Sequence, residues 1–109
     1  MPAALRVDTT GQIIVWSNET QELLGYTALE AVGESIEMII PNHLRERHRA
    51  GFARYVQTGI SALPEITTTI AVHKSGEHMK VPISVKAIYG ENEEIVAVQA
   101  TFYPSSDPD

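Results

Sequence analysis

Pro41-Asn42-His43-Leu44-Arg45-Glu46-Arg47-His48-Arg49-Ala50-Gly51-Phe52-Ala53-Arg54-Tyr55 decides the fold, because it reads as the one long helix of a chain that is otherwise strands and short turns. Leu44, His48, Phe52, Tyr55 and Val56 follow the i, i+4, i+8 spacing of a buried stripe, while Arg45, Glu46, Arg47, Arg49 and Arg54 lie largely off it. One histidine therefore stands where the pattern expects a hydrophobe. Burial disfavours the charged imidazole and leaves its nitrogens in need of a hydrogen bond or a metal, so His48 is the residue to explain. The helix is expected from about Asn42 to Thr58, with Pro41 before it and Gly59 ending it.

Upstream, Ala4 to Val7 and Gln12 to Ser17 read as two strands joined by the turn Asp8-Thr9-Thr10-Gly11. Asn18 is a candidate cap for a helix over Glu19 to Leu24 that Gly25 ends, and Thr27 for a second over Ala28 to Val32 that stops at Gly33. Ile36 to Ile40 is a compact apolar turn. Downstream of the long helix the period changes. Ile66-Thr67-Thr68-Thr69-Ile70-Ala71-Val72 is β-branched, Lys74-Ser75-Gly76 turns, Met79 to Ile88 alternates, and Ile95 to Tyr103 forms a last strand after the turn Gly90 to Glu94. Pro82 points to an edge strand or a bulge. This order implies an α+β domain: a five-stranded antiparallel sheet with the helices gathered on one face and a pocket between sheet and long helix. Within that helix Gly51 costs about 1 kcal/mol relative to alanine. Close packing of helix on sheet accounts for it more readily than clearance for a ligand.

With 109 residues, 43% of them hydrophobic, the chain is expected to form a single domain over residues 1–103. The polar tail Pro104-Ser105-Ser106-Asp107-Pro108-Asp109 resembles a linker toward a missing output domain. No run of about 20 apolar residues spans a membrane and nothing resembles a signal peptide, so a cytoplasmic location is expected. The absence of cysteine excludes disulfides, thiolate metal sites and thiol catalysis. The net charge of −6 is uneven, since residues 45–54 hold four arginines against Glu46. That basic band reads as a solvated helix face, and nucleic acid is not an expected partner. His73 and His78 flank a turn and read as exposed residues rather than half a metal site, and His43 is five residues from His48, the wrong spacing for a shared metal. No nucleophile, phosphate loop or carboxylate pair is available for catalysis, so no enzyme is expected.

Val7-Asp8-Thr9-Thr10-Gly11-Gln12-Ile13, Trp16-Ser17-Asn18, and Glu22-Leu23-Leu24-Gly25-Tyr26 through Glu30-Ala31-Val32-Gly33 resemble the opening of a PAS domain. Ile40-Pro41, Gly59, His73-Lys74-Ser75-Gly76 and the strand Ile95 to Phe102 continue the resemblance in order. It implies a sensory module of a larger signalling protein, in two-component or transcriptional regulation, whose output domain is a kinase, a cyclase or a DNA-binding domain. A flavin-cysteinyl adduct is excluded for want of cysteine. Arg47-His48, seven residues after Ile40-Pro41, resembles the proximal-histidine segment of heme-binding PAS sensors, which implies heme b with His48 on the iron. The oxygen sensors use an arginine on the strand after the long helix, but Glu65 to Val72 contains none. Met79 falls near the place where CO-responsive heme PAS regulators supply a second iron ligand, so the resemblance favours CO or redox sensing.

The expected cofactor-binding residues are thus His48, Met79, Gly51, Phe52, Ile70 and Trp16, conditional on a bound ligand, with His48 and Met79 as conditional heme-iron ligands. Without heme the pocket takes another small apolar or mixed ligand, or is filled by Trp16, Phe52, Met38 and Ile70. The alternative function is a ligand-free dimerisation or protein-interaction module acting as a homodimer.

Overall fold

The computed structural model describes residues 3–60 and 63–103. The linker-like tail, residues 104–109, lies outside the described residues. Strands β1 (Ala3–Asp8) and β2 (Ile13–Trp16) form the opening hairpin, followed by helices α1 (Asn18–Leu24) and α2 (Ala28–Ala31). A 3₁₀ turn (Ile36–Ile39) and a second one (Asn42–Leu44) lead into α3 (Arg45–Thr58), and β3 (Thr67–Val72), β4 (His78–Tyr89) and β5 (Ile95–Phe102) close the domain. All pairings are antiparallel, in the spatial order β2-β1-β5-β4-β3. The five-stranded α+β architecture is the expected one.

Local chemistry accounts for the hairpin. The Asp8 carboxylate accepts from the backbone N–H groups of Thr10 (2.9 Å) and Gln12 (3.0 Å) and from the Thr10 hydroxyl (2.6 Å). That side chain substitutes for ladder partners through the turn. Ser17, rather than Asn18, caps α1: its hydroxyl accepts from Thr20 N at 3.2 Å, and Asn18 is the first helical residue. Thr27 and Glu30 make a reciprocal capping box that starts α2. The long helix begins three residues later than expected, because Leu44 N bonds to Pro41 O (2.9 Å) and makes the first turn 3₁₀.

Pro82 lies neither on an edge strand nor at a bulge. It sits in β4, between β3 and β5. Its carbonyl accepts from Tyr103 N (2.8 Å), so the flank lacking an N–H faces the residue just past the end of β5. The ladder has already ended there, and the proline disrupts no interior bond.

Alternation along the strands sends one set of side chains toward the helices. Trp16, Leu5, Ala100 and Val85 stand in one cross-strand row on that face, while Arg6, Gln99 and Lys86 form a polar row on the other. The densest part of the core lies over β1 and β2, where Leu5, Ile13, Leu24 and Ala31 are buried with Ile36 and Ile39. Thr20, also fully buried, donates its hydroxyl to Ala4 O (2.8 Å) and locks α1 to β1.

The β3–β4 turn clamps the α1–α2 junction from the other side. Lys74 N donates to Leu24 O (2.9 Å), the Lys74 ammonium pairs with Glu30, and the His73 ring rests against Gly25. Gly25 ends α1 at φ +86°, and a Cβ there would stand 2.7 Å from the His73 ring. Gly33 has a similar φ of +96° with open space around it. Gly33→Ala is therefore expected to cost about 1 kcal/mol, the backbone strain alone, and Gly25→Ala at least about twice that in urea denaturation. Equal costs would show that the clamp yields freely.

A cavity under the long helix

Helix α3 carries no fully buried residue. Leu44, His48, Phe52, Tyr55 and Val56, expected as a buried stripe, are each half-buried. Leu44, His48, Phe52 and Tyr55 line a cavity of about 610 Å³, while Phe52, Tyr55 and Val56 also pack against the edge of the core. The floor of this cavity is the sheet, with Leu5 and Val7 from β1, Val98, Ala100 and Phe102 from β5, and Ile83 and Val85 from β4. The edge strand β3 supplies Thr67, Thr69 and Ala71, and the 3₁₀ turn closes one end with Ile36 and Ile39.

Of the residues singled out in the sequence, His48, Gly51, Phe52 and Ile70 line this cavity. Ile70 pairs with Lys80, on the opposite parity from Thr69 and Ala71, so it borders the cavity along the sheet edge. Trp16 and Met79 are not among the lining residues. Trp16 is buried at the end of β2, the edge strand opposite β3, with its indole N–H donating to Tyr26 O at 2.9 Å. Met79 packs on the core at the start of β4, opposite Ala71. The pair His48 and Met79 does not face across one cavity. Met38, expected as a filler of the pocket, also packs on the core outside the lining.

Gly51 has nothing within 4 Å of where a Cβ would stand. Close helix–sheet packing does not explain this glycine, since no side chain or backbone of the sheet approaches that position.

The His48 ring stacks on Phe52, with centroids 5.9 Å apart and planes inclined by 16°. Neither ring nitrogen has a hydrogen bond among the described residues. Burial pushes its pKa below the ordinary value, opposed by the Glu37 carboxylate and aided by Arg49. The imidazole is therefore neutral at pH 7, the form in which it can ligate a metal. Because the unfolded chain binds this proton more readily than the folded one, stability attributable to His48 is full above the unfolded value near 6.5 and falls as pH drops below it. Asp8, Glu30 and Glu37, whose pKa values are lowered chiefly by side-chain hydrogen bonds from Thr10, Lys74 and Arg49, lose their contributions only below about pH 4.5. Chemical denaturation between pH 7.5 and 5 is expected to show a decline that His48→Leu reduces. An unchanged slope in that variant would exclude His48 as its source.

The arginines divide by partner. Arg49 grips Glu37 through two 2.9 Å contacts, tying α3 to the 3₁₀ turn, and Arg45 Nε donates to Ile40 O at 3.0 Å. Arg47 and Arg54 are exposed, as the reading of the basic band as a solvated face expected, and they also border the cavity, which that reading did not foresee. The available signal was their spacing around Ala50 and Gly51, at i, i+3, i+4 and i+7. His73 takes part in its own turn, its Nδ1 accepting from Ser75 N (3.0 Å), and His78 is exposed. Among the described residues no group of three histidine or carboxylate side chains could hold a metal ion.

A sheet of this order with a helix spanning a cavity on one face agrees with a family model described as the PAS fold, which matches residues 2–103. The chain is a PAS domain. Its fold is shared with the PAS domain of a Colwellia psychrerythraea protein, at TM-score 0.79 and 22% identity over 96% of this chain and 86% of that one. The Cycle PAS-B domain of Drosophila melanogaster with bound ethylene glycol superposes at TM-score 0.72, with 16% identity over 93% of this chain and 97% of that one. A Rhodobacter sphaeroides LOV protein does so at TM-score 0.75, with 11% identity over 98% of this chain and 61% of the other. Among curated sequences, an uncharacterised Azorhizobium caulinodans protein is 34% identical over 58 residues, 52% of this PAS domain and 8% of that protein. A probable serine/threonine-protein kinase of Dictyostelium discoideum is 24% identical over 87 residues, 79% of this chain and 6% of the kinase. The matched stretch is thus under a tenth of the length of either relative. PAS domains are generally sensory and signalling modules without catalytic activity, and among the described residues no helix is long and apolar enough to cross a membrane.

Proposed function

We propose that this PAS domain is the sensory module of a longer signalling protein and that its signal is a small, mostly apolar molecule taken into the cavity beneath α3. The observation that carries this reading is the cavity, whose volume of about 610 Å³ lies within the range of small-molecule sites, about 300–1,000 Å³. The lengths of the curated relatives support a larger protein around the module, and the Dictyostelium relative supports a kinase as its output class.

Heme is the cofactor to test first. A neutral His48 with unengaged nitrogens in an apolar wall would hold the heme iron, and Gly51 leaves room beside it. Bound there, heme would supply an iron that takes CO or changes oxidation state. Gly51, Phe52 and Ile70 would form walls, and His48 would be the single protein ligand, because Met79 lies outside the lining.

The test is an absorption spectrum of the purified protein before and after hemin, reduced, with and without CO. A saturable Soret band that shifts with CO supports the heme reading, and absence of saturable uptake excludes it. A second reading, a ligand-free homodimerisation module, is favoured by the exposed hydrophobics Ile14 (45%) and Val15 (46%) on the edge strand β2 and Leu29 (95%) on α2. Sedimentation at several concentrations tests it, since a monomer throughout would reject it.

A further inference from the structure

The cavity is apolar inside and cationic at one part of its wall, and that asymmetry specifies more than a volume. Arg47, Ala50, Gly51 and Arg54 occupy one side of α3 at i, i+3, i+4 and i+7, and all four line the cavity. Two small residues keep the helix surface low between two guanidinium groups. Arg45 and Arg49 are engaged by Ile40 O and Glu37, whereas Arg47 and Arg54 have no side-chain hydrogen bond or ion pair among the described residues. In a chain with 14 acidic and 8 basic residues, two unengaged arginines on the wall of an apolar cavity are a local reversal of charge. Both are exposed, so they remain charged and hydrated without a ligand and can form forked hydrogen bonds with an oxyanion at the cavity edge.

We propose that the ligand of this cavity is an amphipathic carboxylic acid, its apolar body lying between α3 and the sheet and its carboxylate held by Arg47 and Arg54. This rests on the ligand-binding reading above and narrows its chemistry. The same carboxylate could belong to an alkyl chain or to the edge of a porphyrin, and those sources are separable.

The probes are dodecanoic acid and 1-dodecanol, titrated calorimetrically below their aggregation limits into the wild-type chain and into the double variant Arg47→Gln/Arg54→Gln. The acid is expected to bind about tenfold more tightly than the alcohol, with the preference shrinking as salt is added and vanishing in the double variant. Alcohol affinity should not move, and Lys86→Gln, on the opposite sheet face, should leave both affinities unchanged. Equal binding of acid and alcohol, or a preference that survives the double variant, overturns the proposal while leaving the ligand cavity intact. If neither alkyl probe binds and hemin does, hemin and its dimethyl ester replace them. A free-acid preference lost in the double variant then supports the proposal with a porphyrin as the source, and equal uptake overturns it. If none of these probes binds, the ligand-binding reading falls and this inference falls with it.

Discussion

Hemin added to the His48→Ala variant is expected to give no saturable Soret band, while the far-ultraviolet circular dichroism of the protein stays that of the wild type. Two features of the site make this a loss of ligand rather than a loss of fold. His48 has no hydrogen bond among the described residues, so removing it orphans no partner. Its ring stacks on Phe52 and borders the cavity, and such a ring contact is worth about 0.5–1.5 kcal/mol. A histidine bonded within a tight core would cost more on removal, about 1–3 kcal/mol, because a buried polar group would be left unmatched. Met79→Leu should retain the wild-type spectrum, since Met79 packs on the core outside the cavity lining. Undiminished hemin uptake by the His48 variant would remove His48 as ligand, and a spectral change in the Met79 variant would mean that the cavity rearranges on binding.

Sequence periodicity carries information about which side of an element turns inward, and much less about whether anything is packed there. The strands, the glycine stops at Gly25 and Gly59 and the capping role of Thr27 were legible because each is local chemistry. The stripe on α3 was legible as a direction, and His48, Gly51 and Phe52 do face the cavity. A pocket between α3 and the sheet was expected from the order of the elements, but whether side chains fill it was not legible, because an apolar face has the same composition against a core or a void. Trp16 and Met79 illustrate the same limit. Both are apolar residues on the helix-facing side of the sheet; Trp16 lies on β2, outside the strands that floor the cavity, and Met79, although on β4 with the lining residues Ile83 and Val85, packs into the core at the start of that strand. The roles of Arg47 and Arg54 were hidden for a related reason, since a charged residue beside a cavity and one in bulk solvent look alike until the partners of Arg45 and Arg49 are known.

The unequal packing of the two sides of the cavity leads to the largest expected change in stability. Phe102, on the sheet floor, is 3% exposed and pairs with Ala3 and Ile83 in one row. Phe102→Ala should cost about 3–5 kcal/mol, because the ring, although it forms part of the cavity floor, is almost wholly removed from water and the strands on either side cannot close over its space. Phe52 on the roof is half-buried and borders a cavity already present, so Phe52→Ala should cost on the order of 1 kcal/mol, mostly its share of apolar area. Urea denaturation of the two variants at pH 7.5 measures both. The order matters for signalling, because a floor built into the sheet and a roof with no fully buried residue separate the part that must hold its shape from the part that a ligand can move. Backbone amides of α3 should accordingly exchange with deuterium faster than those of β1 and β5, and a ligand bridging roof and floor should slow α3 selectively. Comparable costs for the two phenylalanines would mean that α3 is packed as firmly as the sheet, and an input read through movement of that helix would then lose its physical basis.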